Sequence, residues 1–460
     1  MNPRAAMPSD FPGAGPERRT LVVGLGVTGL SCARHLAARG HALAVTDSRL
    51  HPPGLEALRE TVPDAEVRVG GFAVALLGDV QQVVVSPGVS LEEPIVRAAR
   101  ERGLPVLGDI ELFVAEARAP IVAVTGSNGK STVTSLLAAM LAATGAVVRA
   151  GGNLGTPALT LLGESEPDWY VLELSSFQLE RTWSLSAGAA VVLNVTADHM
   201  DRHSSLAAYA AAKAVVYRDC RVAVVNRDEP DMMAMARIAG PRAARISFGL
   251  DAPAAGQYGV LAGPSGARFL ARGGDRMLAL DALALRGMHN ASNALAALAL
   301  AEAAGVAAER VLATLAGFRG LPHRCQPIAT VGGVEYVDDS KGTNVGAAVA
   351  AVRGFTRPIV LIAGGLGKGT DFAPLAAALA GRARAAVLIG RDGPRLGSAL
   401  AGVCPVEHAG GMDEAVARAA ALARAGDIVL LSPACASQDM FEDFRARGDA
   451  FAAAVRGLAP

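Results

Sequence analysis

IVAVTGSNGKST, residues 121–132, sets four apolar residues and a threonine before a glycine-rich turn that ends in Lys130-Ser131-Thr132. The pattern is strand, turn, helix start. Gly126 and Gly129 allow backbone N–H groups to converge on phosphate oxygens, and Lys130 adds a fixed positive charge. Ser131 or Thr132 can offer a hydroxyl to Mg²⁺. The common loop G-x-x-x-x-G-K-[ST] would need glycine at position 124, where Val124 stands, so this loop is shorter but keeps the same mechanism. Gly126, Ser127, Asn128, Gly129, Lys130, Ser131 and Thr132 are therefore expected to cradle a nucleotide triphosphate.

Outward from this turn, short apolar runs alternate with stretches of helical period, which indicates α/β domains with parallel sheets. One series runs from Thr20 to about Gly108, with TLVVGLG, HALAVTD and VQQVVVSPG. A second starts at IVAVTG, continues through WYVLELSS, AAVVLNVT and CRVAVVNRDEP, and closes with NASNALAALALAEAAG. A third starts near GLPHR, with GVEYVDDS, RPIVLIAGG, RAAVLIG and DIVLLSPA. The expected division is a disordered leader 1–19, domains 20–108 and 109–320, and a last domain 321–460. Met7 is a candidate alternative start, and the leader lacks the apolar core of a signal peptide. In open α/β sheets, ligands sit at the carboxyl ends of the strands.

The bulk numbers exclude several classes. Lys plus Arg and Asp plus Glu are 43 each, so no net field argues for nucleic acid or anionic lipid. Hydrophobic residues make up 51%, much of it alanine, and the most apolar window falls short of the ~20 residues of a membrane span. Five scattered cysteines without a C-x-x-C pair fit reduced thiols in a cytoplasmic protein.

Other motifs sharpen the chemistry. GLGVTG (Gly24, Gly26, Gly29) with Asp47 has the spacing of a dinucleotide fingerprint, leaving NAD open, although the motif alone promises only a helix N-terminus that favours phosphate. VVVSPGVS adds a second tip with Ser86 and Gly88. Glu173 ends WYVLEL, where phosphoryl-transfer enzymes place an Mg²⁺ carboxylate. His199 and His203 are spaced i, i+4, but no Glu follows the first histidine and no third ligand is evident, which argues against zinc. His199 stays open between a ligand and a structural role. Lys213 in AAYAAAKAVVY reads, from its surroundings alone, as a solubilising lysine on an exposed helix face. Arg324, Asp339, Lys341, Thr343 and Lys368 gather at glycine-rich strand ends of the last segment, which suits a carboxylate-bearing small molecule. Ser432 and Ser437 are available to cap the last helix or bind a ligand.

The ordered set GLGVTG, SPGVS, TGSNGKST, GGNLGTP, ELSSFQLE, NVTADHMDRH, GMHNASNALAALA, GLPHR, DDSKGTN, GGLGKGTDF and LLSPACASQDMFEDFRARG resembles the Mur ligases, from about residue 20 to the C-terminus. The resemblance implies a Rossmann-like UDP-binding domain, a central P-loop ATPase domain with a parallel sheet, and a C-terminal Rossmann-like domain. It implies ATP-dependent addition of D-glutamate to UDP-N-acetylmuramoyl-L-alanine through an acyl phosphate, in cytoplasmic peptidoglycan precursor synthesis, by a monomer. A sibling ligase for another amino acid is the nearest alternative.

Carried onto matching positions, the resemblance puts UDP phosphates at Val27 and Thr28 and uracil near Asp47, Ser48 and Arg49, beside Ser86 and Gly88. Asn153 and His199 would meet the muramoyl part. Lys130 would hold the γ-phosphate, Ser131 and Glu173 one Mg²⁺, and His199 a second. Asn290, Asn293, Arg324 and Asp339 would contact the ATP base and ribose, and Lys341, Thr343, Lys368, Ser437 and Phe444 D-glutamate. Lys213 matches a lysine that is carbamylated in the family, which reverses the bland reading. Two departures stand out: GGLGKGTDF lacks an Asp that often precedes the lysine, and Cys325-Gln326 replaces an aromatic-Glu pair.

Overall fold

The computed structural model describes residues 18–285 and 287–458. Most of the expected leader, with Met7, lies outside the described residues, and Arg19 already opens the first strand. Three sheets divide the chain. The first has five parallel strands in the order Glu66–Val69, Ala42–Asp47, Arg19–Val23, Gln82–Val85, Val106–Leu107. The third has six, in the order Gln326–Val331, Val334–Asp338, Ile428–Leu431, Ile359–Gly364, Ala383–Ile389, Val406–His408, all parallel except the first, which pairs antiparallel at the edge.

The middle sheet has nine strands, and its parallel heart runs Ala189–Val192, Ile121–Thr125, Trp169–Glu173, Val148–Gly152. Along Ile121–Thr125 the residues alternate between two cores: Ile121 and Ala123 face one, Val122 and Val124 the other. A strand covered on both faces must be apolar throughout, which is why this segment reads as a continuous run. The helix Met288–Ala303 is apolar nearly all round for the same reason: it lies inside the second of these cores, against the helix Lys130–Ala142. The meander Tyr258–Ala262, Arg268–Arg272, Asp275–Ala279 extends the sheet antiparallel, as its short turns require.

The two domain seams differ. One core runs from Val22, Leu43 and Val84 of the first sheet through Ile110 and Phe113 of the helix Asp109–Glu116 into Tyr170 and Leu172 of the middle sheet. The cores of the third sheet contain no residue before Val334. Its described contacts with the middle domain include Arg324 Nη2 to Ser131 Oγ at 2.7 Å, and Asn344 Nδ2 to Asn128 Oδ1 at 3.1 Å and to Asp198 Oδ2 at 2.9 Å.

Candidate active site

Val124, the position where the common loop carries its first glycine, is fully buried and pairs with Glu173 and Val191 on either side. The strand thus runs one step further, and the turn shrinks to Gly126–Gly129. Asn194 from the neighbouring strand end braces it: its Oδ1 accepts from Asn128 N at 2.8 Å and its Nδ2 donates to Asn128 O at 3.1 Å. Gly129 holds φ +83°, and a Cβ there would lie 2.5 Å from Asn293 Oδ1. The helix Lys130–Ala142 begins without a side-chain cap, so its first N–H groups face the cleft.

Lys130 Nζ donates to the carbonyls of Gly126 and Ser127, both at 2.9 Å. Lys213 Nζ donates to the same Gly126 carbonyl at 2.9 Å and lies 4.3 Å from the centroid of the Tyr209 ring. Lys213 is 1% exposed, which overturns the reading of a solubilising surface lysine. Burial, then the neighbouring Lys130, drives its amine well below the ordinary lysine range.

Glu173 is buried beside this pair. Asn153 Nδ2 donates to its Oε1 at 2.6 Å, while its Oε2 has no hydrogen-bond partner among the described residues. A buried carboxylate oxygen left open next to two lysines and the Ser131 hydroxyl fits a divalent cation. No group of three or more His, Cys, Asp or Glu side chains that could hold a metal occurs among the described residues. A single buried carboxylate with an open oxygen suits Mg²⁺, which takes one or two protein ligands and completes its shell with phosphates and water.

His199 sits in a tight turn at φ +56°, its Nε2 3.7 Å from Asp198 Oδ2. Burial first, and then the third domain's Lys368 with Lys130, lower its pKa, with Asp198 opposing. His203 points elsewhere: its Nε2 is 3.0 Å from Ser176 Oγ and its Nδ1 3.2 Å from Glu180 Oε1. The two histidines share the Phe177 and Tyr209 rings but differ in their polar partners.

Across the seam, Asp339 accepts from Ser432 Oγ at 2.7 Å and Cys325 N at 3.2 Å, and burial pushes its carboxyl up to about 7. Lys341 lies 4.1 Å from the Phe444 ring centroid, and burial, then Arg324 and Lys130, lowers it to about 8. The Thr343 backbone bonds Lys341 O at 2.7 Å, and Ser437 is buried. Neither serine caps the last helix, because Asp443 does so with bonds from Arg445 N and Ala446 N. Asn293 Nδ2 donates to Asn290 Oδ1 at 3.1 Å beside the loop. Lys368 is exposed on its loop at φ +49°. In the same loop, Gly367 N donates to Asp392 Oδ2 at 2.7 Å.

In the first domain, the helix Val27–Ala37 also starts uncapped, with Val27 67% exposed at its tip and Thr28 beside it. Asp47 turns inward, accepting from Leu25 N at 2.7 Å and from Arg49, which holds its carboxyl down at about 2. Ser48 and Arg49 are exposed next to it. Ser86 spends its hydroxyl on Gly24 O at 2.7 Å, tying the two tips together, while Gly88 is exposed.

Several residues here were not singled out from sequence. Asn194, Asp198, Tyr209, Asn344, Phe177 and Arg202 join loops that are far apart in the chain. The only signal for Phe177, Asp198 and Arg202 was their place inside ELSSFQLE and NVTADHMDRH.

Comparison with known proteins shows what the chain is similar to. The Mur ligase middle domain matches residues 124–301, the Mur ligase MurD-like N-terminal domain 18–108, and the Mur ligase glutamate ligase domain 323–435. UDP-N-acetylmuramoylalanine–D-glutamate ligase from Nitrosococcus oceani is 54% identical over 95% of this chain and 96% of its own. The protein of the same name from Marinobacter nauticus is 49% identical over 96% and 99%. Among solved structures, UDP-N-acetylmuramate-alanine ligase MurC from Thermotoga maritima matches with TM-score 0.60 at 19% identity, over 95% of this chain and 99% of that one. MurF from Acinetobacter baumannii also gives 0.60, at 17% identity over 95% and 93%.

Proposed function

The chain belongs to the Mur ligase family, and from that premise we propose how its residues divide the work of the reaction. It is an ATP-dependent ligase that adds D-glutamate to UDP-N-acetylmuramoyl-L-alanine. In the proposed division, the first domain takes the UDP part, the middle domain ATP, and the third D-glutamate.

The uncapped helix start at Val27 and Thr28 and the Gly88 tip bind the diphosphate, with Ser48 and Arg49 beside the uracil. Asn153 and His199 steer the alanyl carboxylate toward the γ-phosphorus, and Lys130 and the loop N–H groups hold the phosphate oxygens. The carboxylate oxygen attacks, ADP leaves, and an acyl phosphate forms. A carboxylate is a poor electrophile, and phosphorylation supplies the leaving group it lacks. The amine of D-glutamate, held by Lys341, Thr343, Lys368, Ser437 and Phe444, then attacks the acyl carbon. Phosphate departs from the tetrahedral intermediate, the nitrogen sheds its proton, and the amide remains. Asn290, Asn293, Arg324 and Asp339 take the adenosine.

Mur ligases depend on Mg²⁺, which when bound neutralises charge on the transferring phosphoryl group. Glu173, Ser131 and His199 would hold it, with two ions in all. Lys213 completes the set as a carbamate: a neutral amine is what CO₂ requires, and the depressed pKa of this buried lysine supports that state.

The single observation that carries the reading is the half-buried Lys130 and the buried Lys213 sharing the Gly126 carbonyl beside the half-satisfied Glu173, with Arg324 reaching in from the third domain. The test is incubation with UDP-N-acetylmuramoyl-L-alanine, ATP, Mg²⁺ and a panel of amino acids. Amide product and phosphate are expected with D-glutamate. Product with L-alanine or diaminopimelate in its place would overturn the assignment. Lys213→Ala is expected to lose turnover, with partial recovery on adding a small carboxylate. Full activity of that variant would remove the carbamate from the scheme.

A further inference from the structure

Arg202 lies between the first two domains and has no task in the ligase scheme. Arg202, in the turn after His199, donates from Nη1 to Gly88 O at 2.9 Å and from Nη2 to Val89 O at 3.2 Å. Those carbonyls belong to the SPGVS tip of the first domain. The same guanidinium stands 4.6 Å from the Phe177 ring centroid. Phe177 meets the His199 ring edge-on at 5.0 Å and stacks on His203 at 5.5 Å and 7°.

This platform is tied together by hydrogen bonds of its own. Arg202 N and His203 N both donate to His199 O at 3.0 Å, and Ser176 and Glu180 hold the two His203 nitrogens. Arg181 also reaches Val89 O, but it is 2% exposed and sits inside the seam. Arg202 is half-buried at the rim, where the tip meets the cleft. Its planar fork fits two adjacent carbonyls, which a lysine's single ammonium reproduces only in part.

We propose that Arg202 is a positioning residue of the ligase reaction. It ties the tip that binds the UDP part to the Phe177–His199 platform, and so sets the span between the diphosphate and the phosphoryl-transfer centre. The inference rests on the reading of Gly88 as part of the UDP site. Because the substrate must touch both ends at once, loosening the tie misplaces the carboxylate without removing the UDP contacts themselves. A displacement near 1 Å costs about 10²-fold in rate.

The test compares full-length wild type with Arg202→Ala, Arg202→Lys and Phe177→Leu. Three readouts are needed: Kd for UDP alone by calorimetry, kcat and KM for the full substrate, and Tm. Expected are a kcat about 10²-fold lower in Arg202→Ala, a UDP Kd within about threefold of wild type, partial recovery in Arg202→Lys, and a smaller kcat loss in Phe177→Leu. Wild-type kcat in Arg202→Ala overturns the inference. A UDP Kd that rises in step with the kcat loss overturns it too, making Arg202 a diphosphate ligand. A fall in Tm that Arg202→Lys reproduces in full, with kcat lost alike in both, marks a structural clasp and also overturns it. Wild type that fails to bind UDP defeats the UDP-site reading itself, which separates that failure from the others.

Discussion

The middle domain has two neighbours and treats them differently. Against the first domain it shares an apolar core that runs through Ile110 and Phe113. Against the third domain the described ties include polar side chains meeting across a cleft: Arg324 on Ser131, and Asn344 on Asn128 and Asp198. An apolar core is lost all at once when parted, whereas hydrogen bonds exchange with water at small net cost. The first seam thus suits a fixed platform for one substrate, and the second suits a domain that must part and close to admit nucleotide and amino acid.

The sharpest way to break this contrast lies in the apolar seam. Phe113 is fully buried, edge-on to Tyr170 at 5.0 Å. Phe113→Ala should cost about 3–5 kcal/mol, and denaturant unfolding should show the first and middle domains melting together. Separate transitions would mean the shared core does not couple them.

Arg324→Ala should do the opposite. Its stability should change by less than about 1 kcal/mol, while kcat/KM for ATP falls about 10- to 100-fold, since a charge-assisted bond to the loop is lost. Steady-state kinetics beside a melting curve checks both.

The polar seam should also be the pH-sensitive one. In the free enzyme Asp339 is near 7 and Lys341 near 8. Below about 7 Asp339 takes up a proton and can no longer accept as an anion, so kcat/KM for ATP should fall with pH. Above about 8 Lys341 loses its proton and its charge, so kcat/KM for D-glutamate should fall as pH rises. Each limb approaches about tenfold per unit for a single essential group, reports the free enzyme, and should be absent from UDP binding.

The smallest effect is expected from Asn344→Ala. Asn344 caps the helix Val345–Gly354 by accepting from Ala347 N and touches two middle-domain residues. The loss should be about 1 kcal/mol, with the KM for ATP and for D-glutamate raised. A cost above that of Phe113→Ala would invert the comparison.

Much of this was legible in the chain itself. The strand-turn-helix at residues 121–132 announced a phosphate cradle because an apolar run, two glycines and a lysine at that spacing have one efficient backbone solution. The doubly covered sheets followed from apolar runs without alternation, since only strands with cores on both faces read that way. Glu173 was found as the end of such a run.

Other features had no local signature. Lys213 looks like a surface lysine in its own helix, and only the arrival of the Gly126 loop from a distant segment, beside Tyr209 of that same helix, reveals it as buried with a lowered pKa. Asp392 accepting from Gly367 N and Arg202 gripping a loop more than a hundred positions away in sequence belong to the same class. Local propensity and motif chemistry are carried by neighbours in sequence, so residue order alone determined the strands, the cradle and the class of chemistry. Burial, desolvation and the reach of one domain into the next arise only when distant segments meet, so tertiary structure alone decided which lysine is buried with a lowered pKa, which carboxylate keeps an open oxygen and how each seam is built.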